Sequence, residues 1–163
     1  MITLLSPTRT MNMSPVSGTY PPATTPQFLS EAERIISGVK KLSAKELEGQ
    51  MNLSQKIAEN DFHYFQQFYL PTTIQKQAVL AYSGTIYQKL DASTFKEKDF
   101  LYAQQHLRII STLYGILRPL DAIKAYRLMF SLKVPDLGTK DLYQFWQPII
   151  TKALIDDIVA DDG

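Results

Sequence analysis

Short β-prone runs alternate along this chain with longer stretches of helical periodicity, and this alternation restricts the fold more than any other feature. The runs lie at residues 2–5, 79–82 and 108–111. Short buried strands separated by helices indicate an α/β or α+β domain. We therefore expect a mixed sheet of short strands packed by several helices, in a single domain over residues 1–163.

Prolines and capping residues indicate where the elements begin and end. Five prolines fall within residues 6–26, so no regular element can run through that segment. The Ser43–Glu46 segment has a capping-box pattern and predicts a helix start. Thr139 is placed to cap the longest helix, over residues 140–159. Residues 161–163 (Asp-Asp-Gly) are typical of a turn from a helix into a strand, so we expect the fold to be incomplete at the C-terminus.

The composition argues against several kinds of site. The chain has no cysteine, which excludes disulfides, Cys-ligated zinc and thiol nucleophiles. Its two histidines, His63 and His106, are far apart and lack metal-ligand spacing. The glycines form neither a G-x-S-x-G elbow nor a phosphate-binding glycine loop. We therefore expect no metal and no cofactor.

The distribution of apolar residues predicts a cytoplasmic location. No stretch approaches the ~18 apolar residues that a membrane span needs. The N-terminal apolar run is also too short for a signal peptide. We expect no membrane partner, and the sequence leaves the oligomeric state open.

Charge is distributed unevenly although the formal net charge is only +1. Residues 101–152 carry seven basic and three acidic side chains, and residues 153–163 add four aspartates. Two interpretations stay open. The bias reflects solvated faces, or it marks a localised anion-binding surface.

Several cations stand in segments that look ordered. Arg9 follows the first predicted strand, and Lys140 falls in the first turn of the predicted long helix, where the helix dipole disfavours a cation. Such side chains could hold phosphates while Tyr114, Tyr126 or Tyr143 stack on bases or sugars. Alternatively, Arg108 and Arg127 pair with Asp99 or Asp121 inside the fold. Asp99, Asp121 and Asp141 are candidate catalytic carboxylates, although Asp121 and Asp141 also suit turns and caps.

Five motifs resemble one known family. They are residues 4–10 (LLSPTRT), 51–58 (MNLSQKIA), 81–87 (AYSGTIY), 103–121 (AQQHLRIISTLYGILRPLD) with Tyr126–Leu128, and 140–146 (KDLYQFW). In this order they resemble the YaaA-type peroxide-stress-resistance proteins (UPF0246). The resemblance spans nearly the whole chain.

The resemblance implies a cytoplasmic protein that helps cells survive hydrogen peroxide and limits iron-linked damage. It also implies double-stranded DNA binding through a basic cleft, and a helix–hairpin–helix-like element around Ser43–Phe65. Six cations coincide with basic positions of the family pattern and become our candidate DNA-binding residues: Arg9 (where the family has Lys), Lys56, Arg108, Arg118, Arg127 and Lys140. No catalytic residue is implied.

The sequence departs from the family pattern at several positions. Ser111–Thr112 replaces Ser-Gly, so the turn there is expected to differ. Ala125 and Met129 replace Pro and Glu, which removes a carboxylate that would partner Arg127. The family is also longer and continues after the long helix with more strands and more basic residues.

A second function stays open beside DNA binding. Motif residues at strand ends and helix starts are also typical of catalytic sites. On this hypothesis the protein is an enzyme acting on a small phosphorylated or nucleotide-like substrate. Its site would comprise Ser6, Arg9, Tyr126, Arg127, Lys140 and Asp141.

Overall fold

Seven helices, one 3-10 turn and five short strands occupy residues 1–161, the part of the chain that the computed structural model describes. In chain order they are β1 (Thr3–Leu5), α1 (Leu29–Val39), α2 (Ala44–Met51), α3 (Gln55–Gln66), β2 (Lys76–Gln77), α4 (Ala78–Ala81), α5 (Thr85–Leu90), the 3-10 turn (Ala92–Thr94), α6 (Glu97–His106), β3 (Leu107–Ser111), β4 (Gly115–Leu117), β5 (Ala122–Ile123) and α7 (Leu142–Asp161).

The main sheet is mixed, as predicted. Its strand order is β1-β3-β4, with β1 parallel to β3 and β3 antiparallel to β4. In this register Leu4 lies opposite Arg108. A second, two-stranded sheet pairs β2 with β5 in antiparallel fashion. Short strands packed by several helices confirm the predicted α/β fold class.

The predicted strand at residues 79–82 is wrong, because residues 79–81 belong to the short helix α4 and Tyr82 makes only an isolated bridge to Met11. Pairing with β5 ends at Gln77. The N–H groups of Ala78 and Val79 then donate to the carbonyls of Asp121 and Pro119, at 2.9 and 3.0 Å, and Tyr82 N–H returns to the carbonyl of Ala78. A four-residue apolar run has no periodicity that separates a helical turn from a strand.

The predicted start of α7 is also wrong, by two residues. The cap is Asp141, whose Oδ1 accepts a hydrogen bond from the Gln144 N–H at 2.8 Å, rather than Thr139. Lys140 therefore lies outside the helix, and the conflict with the helix dipole does not arise. The predicted turn at 161–163 lies largely outside the described residues.

The helical hairpin α2–α3 begins where the capping residues predicted. Ser43 Oγ accepts from the Glu46 N–H and the Glu46 carboxylate accepts from the Ser43 N–H, which completes the capping box. Ser54 Oγ accepts from the Ile57 N–H and caps α3. Asn52 joins the helices in the left-handed conformation (φ 52°), which asparagine tolerates better than most residues. The hairpin lies beside the cavity described next.

Candidate anion-binding cavity

A cavity of about 240 Å³ lies between α3, the loop after β1 and the segment after β5. Its charged lining residues are Arg9, Asp61 and Arg127. The remaining lining residues are Met11, Met13, Ile57, Asn60, Tyr64, Ala125 and Tyr126. Three separate parts of the chain therefore contribute to one concave surface that combines two guanidinium groups and one carboxylate.

Helix α3 supplies the carboxylate from its buried face. Ala58, Asp61 and Phe65 are the fully buried residues of this helix, at the i, i+3, i+7 spacing of a single face. Asp61 is only 2% exposed. Its Oδ1 lies 3.8 Å from Arg127 Nε, and its buried Oδ2 has no hydrogen-bond partner within residues 1–161.

The environment of Asp61 disfavours its charge. Burial raises the pKa of Asp61 to about 7, and the positive charge of Arg127 opposes this rise without cancelling it. A buried carboxylate normally has several hydrogen-bond donors around it. The charged form of Asp61 is therefore unfavourable in the folded protein unless a further group donates a hydrogen bond to it.

The neighbours of Arg127 are held rigidly. The Tyr126 hydroxyl lies 2.5 Å from the Tyr82 hydroxyl and 2.6 Å from Ser111 Oγ, in a buried network. Burial raises the pKa of Tyr126, so this hydroxyl stays protonated. The network fixes the backbone that carries Arg127, whose side chain is about one-third exposed.

Arg9 reaches the cavity from a loop that is tied down close by. Thr8 Oγ1 donates to the carbonyl of Ser83 at 3.2 Å. The loop passes so near Gly84 that a Cβ there would come within 2.9 Å of Thr8 Oγ1. Arg9 itself is exposed. Its guanidinium is thus accessible at the cavity.

Two further predicted cations are exposed but do not line the cavity. Lys56 is the second residue of α3 and precedes Asn60 by four residues, which places the two on one side of the helix. Lys140 lies before α7, where its backbone N–H donates to Gln144 Oε1 at 2.7 Å.

Arg108 and Arg118 bind carboxylates elsewhere in the fold. Arg108 Nε donates to Asp157 Oδ2 at 2.8 Å, and its Nη1 donates to the carbonyls of Gln104 and Leu107. Arg118 Nη2 donates to Asp121 Oδ1 and to the carbonyl of Thr25, both at 3.0 Å. The structure thus brings Arg9 and Arg127 to one cavity and directs Arg108 and Arg118 elsewhere.

The intramolecular ion pairs exist, but with other partners than predicted. The alternative that Arg108 and Arg127 pair with aspartates inside the fold holds, but the partners are Asp157 and Asp61 rather than Asp99 or Asp121. The three candidate catalytic carboxylates have local roles. Asp99 accepts from the Lys96 N–H, Asp121 from the Arg118 N–H, and Asp141 caps α7.

The tyrosines proposed to stack on bases differ in exposure. Tyr143 is 61% exposed, whereas Tyr114 and Tyr126 are buried. Tyr126 nonetheless borders the cavity, and Tyr64, which the sequence analysis did not select, lines it from α3 with half of its surface exposed. An aromatic surface is thus present at the cavity.

Asp61 and Asn60 were not predicted from the sequence as site residues. The signal was present, because Asp61 stands at the i+3 position from Ala58 and the i−4 position from Phe65, within the apolar stripe of α3. An acidic residue on an apolar stripe breaks the amphipathic pattern, and such local exceptions concentrate at functional sites.

Comparison with known proteins identifies the family. The sequence model of the family described as "Peroxide stress protein YaaA" matches residues 1–162. The chain belongs to the YaaA (UPF0246) family. A UPF0246 protein of Parabacteroides distasonis is 39% identical over 163 residues, and one of Bacteroides thetaiotaomicron is 40% identical over 164 residues.

The alignments cover a larger share of this chain than of its relatives. They include 99% and 100% of this chain but 63% of each of the two relatives. The chain thus spans less than two thirds of the length of the YaaA-family relatives it matches.

Neither a membrane-spanning helix nor a clustered metal-ligand set occurs in the described part of the chain. None of the helices in residues 1–161 combines the length and the apolar character that crossing a membrane requires. The same residues contain no group of three or more His, Asp or Glu side chains arranged to hold a metal ion.

Proposed function

We propose that this YaaA-family chain acts in the cytoplasm in resistance to peroxide stress and does so by binding double-stranded DNA. The observation that carries the proposal is the meeting of Arg9 and Arg127 at one cavity. These residues come from positions 118 apart in the chain. Convergence of distant cations is unexpected for solvated surface charges and is typical of an anion-binding site.

The local charge suits a phosphate backbone. Arg9 and Arg127 outnumber Asp61 at the cavity, and Lys56 adds a positive charge at the start of α3. Guanidinium groups hold phosphate oxygens through paired N–H donors, and most protein–DNA hydrogen bonds go to the backbone. Because the formal net charge of the whole chain is only +1, the positive charge proposed to bind DNA is local to the surface around the cavity.

The hairpin α2–α3 is the proposed helix–hairpin–helix-like element. Lys56 lies in its second helix, directly after the turn, and Asn60 and Tyr64 continue the same side of the helix toward the cavity. A duplex on this side would meet Lys56, Arg9 and Arg127. Arg108 and Arg118 already bind Asp157 and Asp121, so the proposed surface does not depend on them.

Salt dependence tests this proposal. The logarithm of the duplex association constant should fall by about 0.9 per phosphate contact for each unit increase in the logarithm of salt concentration. Arg9→Gln and Lys56→Gln should each lower that slope by about 1 and weaken binding to all sequences alike. The measurement is fluorescence anisotropy with a labelled duplex at several ionic strengths.

The matched control is Lys98→Gln, an exposed lysine on α6 that does not line the cavity. This variant should bind like the wild type. Undetectable binding, salt-independent binding, or equal losses in all three variants would reject the proposal.

Protection of DNA is the proposed link between DNA binding and resistance to peroxide stress. A protein that covers the duplex would limit attack by hydroxyl radicals formed from iron and peroxide. We expect a saturating amount of the chain to reduce strand cleavage by ferrous iron and hydrogen peroxide, and Arg9→Gln to reduce this protection at equal concentration. Gel analysis of a labelled duplex measures both.

A further inference from the structure

The acidic group inside the cavity is not explained by phosphate binding. A carboxylate repels phosphate, yet Asp61 lines the same cavity as Arg9 and Arg127. A surface selected only for a DNA backbone would be free of such a group. Asp61 therefore indicates a ligand that carries a hydrogen-bond donor in addition to a phosphate.

The contact between Asp61 and Arg127 does not satisfy either group. At 3.8 Å, Nε and Oδ1 are beyond hydrogen-bond distance, so the pair lacks the close fork that a structural Arg–Asp pair forms. The two arginine–aspartate pairs elsewhere, Arg108–Asp157 and Arg118–Asp121, have contacts of 2.8 and 3.0 Å. Asp61 and Arg127 thus retain unused hydrogen-bonding capacity at one cavity.

The unused capacity defines the ligand. Arg127 and Arg9 offer donors to an anionic group, and Asp61 offers an acceptor to an N–H or O–H group. Asn60 can donate and accept beside them. Met11 and Tyr64 provide apolar and aromatic surface for a flat ring.

We propose that the cavity bounded by Arg9, Asp61 and Arg127 binds a single nucleotide unit, with its phosphate at the two arginines and an N–H or O–H donor of its base or sugar at Asp61. The volume of about 240 Å³ is somewhat below the usual range of small-molecule pockets, about 300–1,000 Å³, and suits one small ligand that is partly exposed. Such a site would also bind the small phosphorylated or nucleotide-like substrate of the enzyme hypothesis.

A nucleotide unit can come from two sources. It is either a free nucleoside monophosphate or a nucleotide extruded from a duplex bound on the adjacent surface. In the second case the inference rests on the proposed DNA binding, whereas in the first it does not. Both sources present the same phosphate and donor to the same residues.

The test with free ligands uses the four deoxynucleoside monophosphates, inorganic phosphate and the four deoxynucleosides. Isothermal titration calorimetry on the whole chain should show at least one monophosphate binding at least about tenfold more tightly than phosphate or its nucleoside. Asp61→Asn and Arg9→Gln should each weaken that binding by about tenfold or more, as expected for hydrogen bonds to charged groups. Lys98→Gln serves as control and should change nothing.

The test for an extruded nucleotide compares a fully paired duplex with one that carries a single mismatch. If the duplex is the source, the mismatched duplex binds more tightly than the paired one, and Asp61→Asn brings the ratio of the two affinities close to one. If the free compound is the source, only monophosphate binding depends on Asp61. Either result supports the nucleotide site.

The failures of the two proposals are distinguishable. The nucleotide site is overturned if neither monophosphate binding nor the affinity ratio of the mismatched to the paired duplex depends on Asp61, even when salt-dependent duplex binding is present. The proposed function fails instead if neither duplex binds while a monophosphate binds in an Asp61-dependent manner. Thermal unfolding of each variant without ligand confirms that the compared proteins are folded.

Discussion

Gly115→Ala is expected to destabilise the fold by about 2–5 kcal/mol, as the sum of a backbone term and a packing term. Gly115 begins β4 with φ 75°, a conformation that costs alanine energy. A Cβ at this position would also come within 2.4 Å of Trp146 Cζ3. Trp146 cannot move aside easily, since it is 1% exposed and its Nε1 donates to the carbonyl of Thr112 at 2.8 Å.

Gly49→Ala is the matched control for that substitution. Gly49 lies within α2, is exposed, and has open space for 4 Å around the position that an alanine Cβ would take. Alanine there should stabilise the protein by about 0.5–1 kcal/mol, because glycine costs that much inside a helix. Urea unfolding of both variants measures the difference. A Gly115→Ala protein whose stability lies within about 1 kcal/mol of the wild type would contradict the tight packing of β4 on α7.

Elements whose boundaries depend on neighbouring residues could be predicted from the sequence. The start of α2 was predicted from the Ser43–Glu46 segment, because capping joins residues only three apart. The segment 79–82 could not be predicted in this way. Its conformation depends on the carbonyls of Pro119 and Asp121, about forty residues away in the chain.

The same distinction between local and distant determinants applies to the candidate site. Arg9 was recognisable because it lies in the loop after a predicted strand, and Arg127 because it belongs to a motif. The partners of Arg108 and Arg127 were not recognisable, since Arg108 meets Asp157 from the far end of α7 and Arg127 meets Asp61 from α3. Pairing between distant segments depends on packing that periodicity does not encode.

The stability of the wild-type chain is expected to fall between pH 4 and pH 7 because of Asp61. Its pKa is about 7 in the fold and 3.8 in the reference state, so the folded protein holds a proton in this window that the unfolded chain has released. The contribution of Asp61 to the free energy of unfolding is therefore largest below pH 4. It decreases as the pH rises and levels off above pH 7. The loss is of order 2–4 kcal/mol, allowing for partial solvent screening.

Asp61→Asn isolates this contribution, because it removes the titrating proton with almost no change in volume. The variant should match or exceed the wild type above pH 7, and its advantage should shrink as the pH falls toward 4. Subtracting the two urea-unfolding profiles cancels the contributions of the groups that both proteins share. The charged groups that remain at the cavity are Arg9 and Arg127.

The sign of that difference decides whether Asp61 serves the fold or a ligand. If Asp61 were a stabilising partner of Arg127, its removal would destabilise the protein at pH 8, where the carboxylate is charged. A variant that is more stable at pH 8 than the wild type means that the charged carboxylate costs the free protein stability. A saturating ligand that donates to Asp61 would then lower its pKa and reduce the pH dependence of the wild type. A constant difference between the two proteins from pH 4.5 to 8 would contradict the raised pKa and remove this support for a ligand.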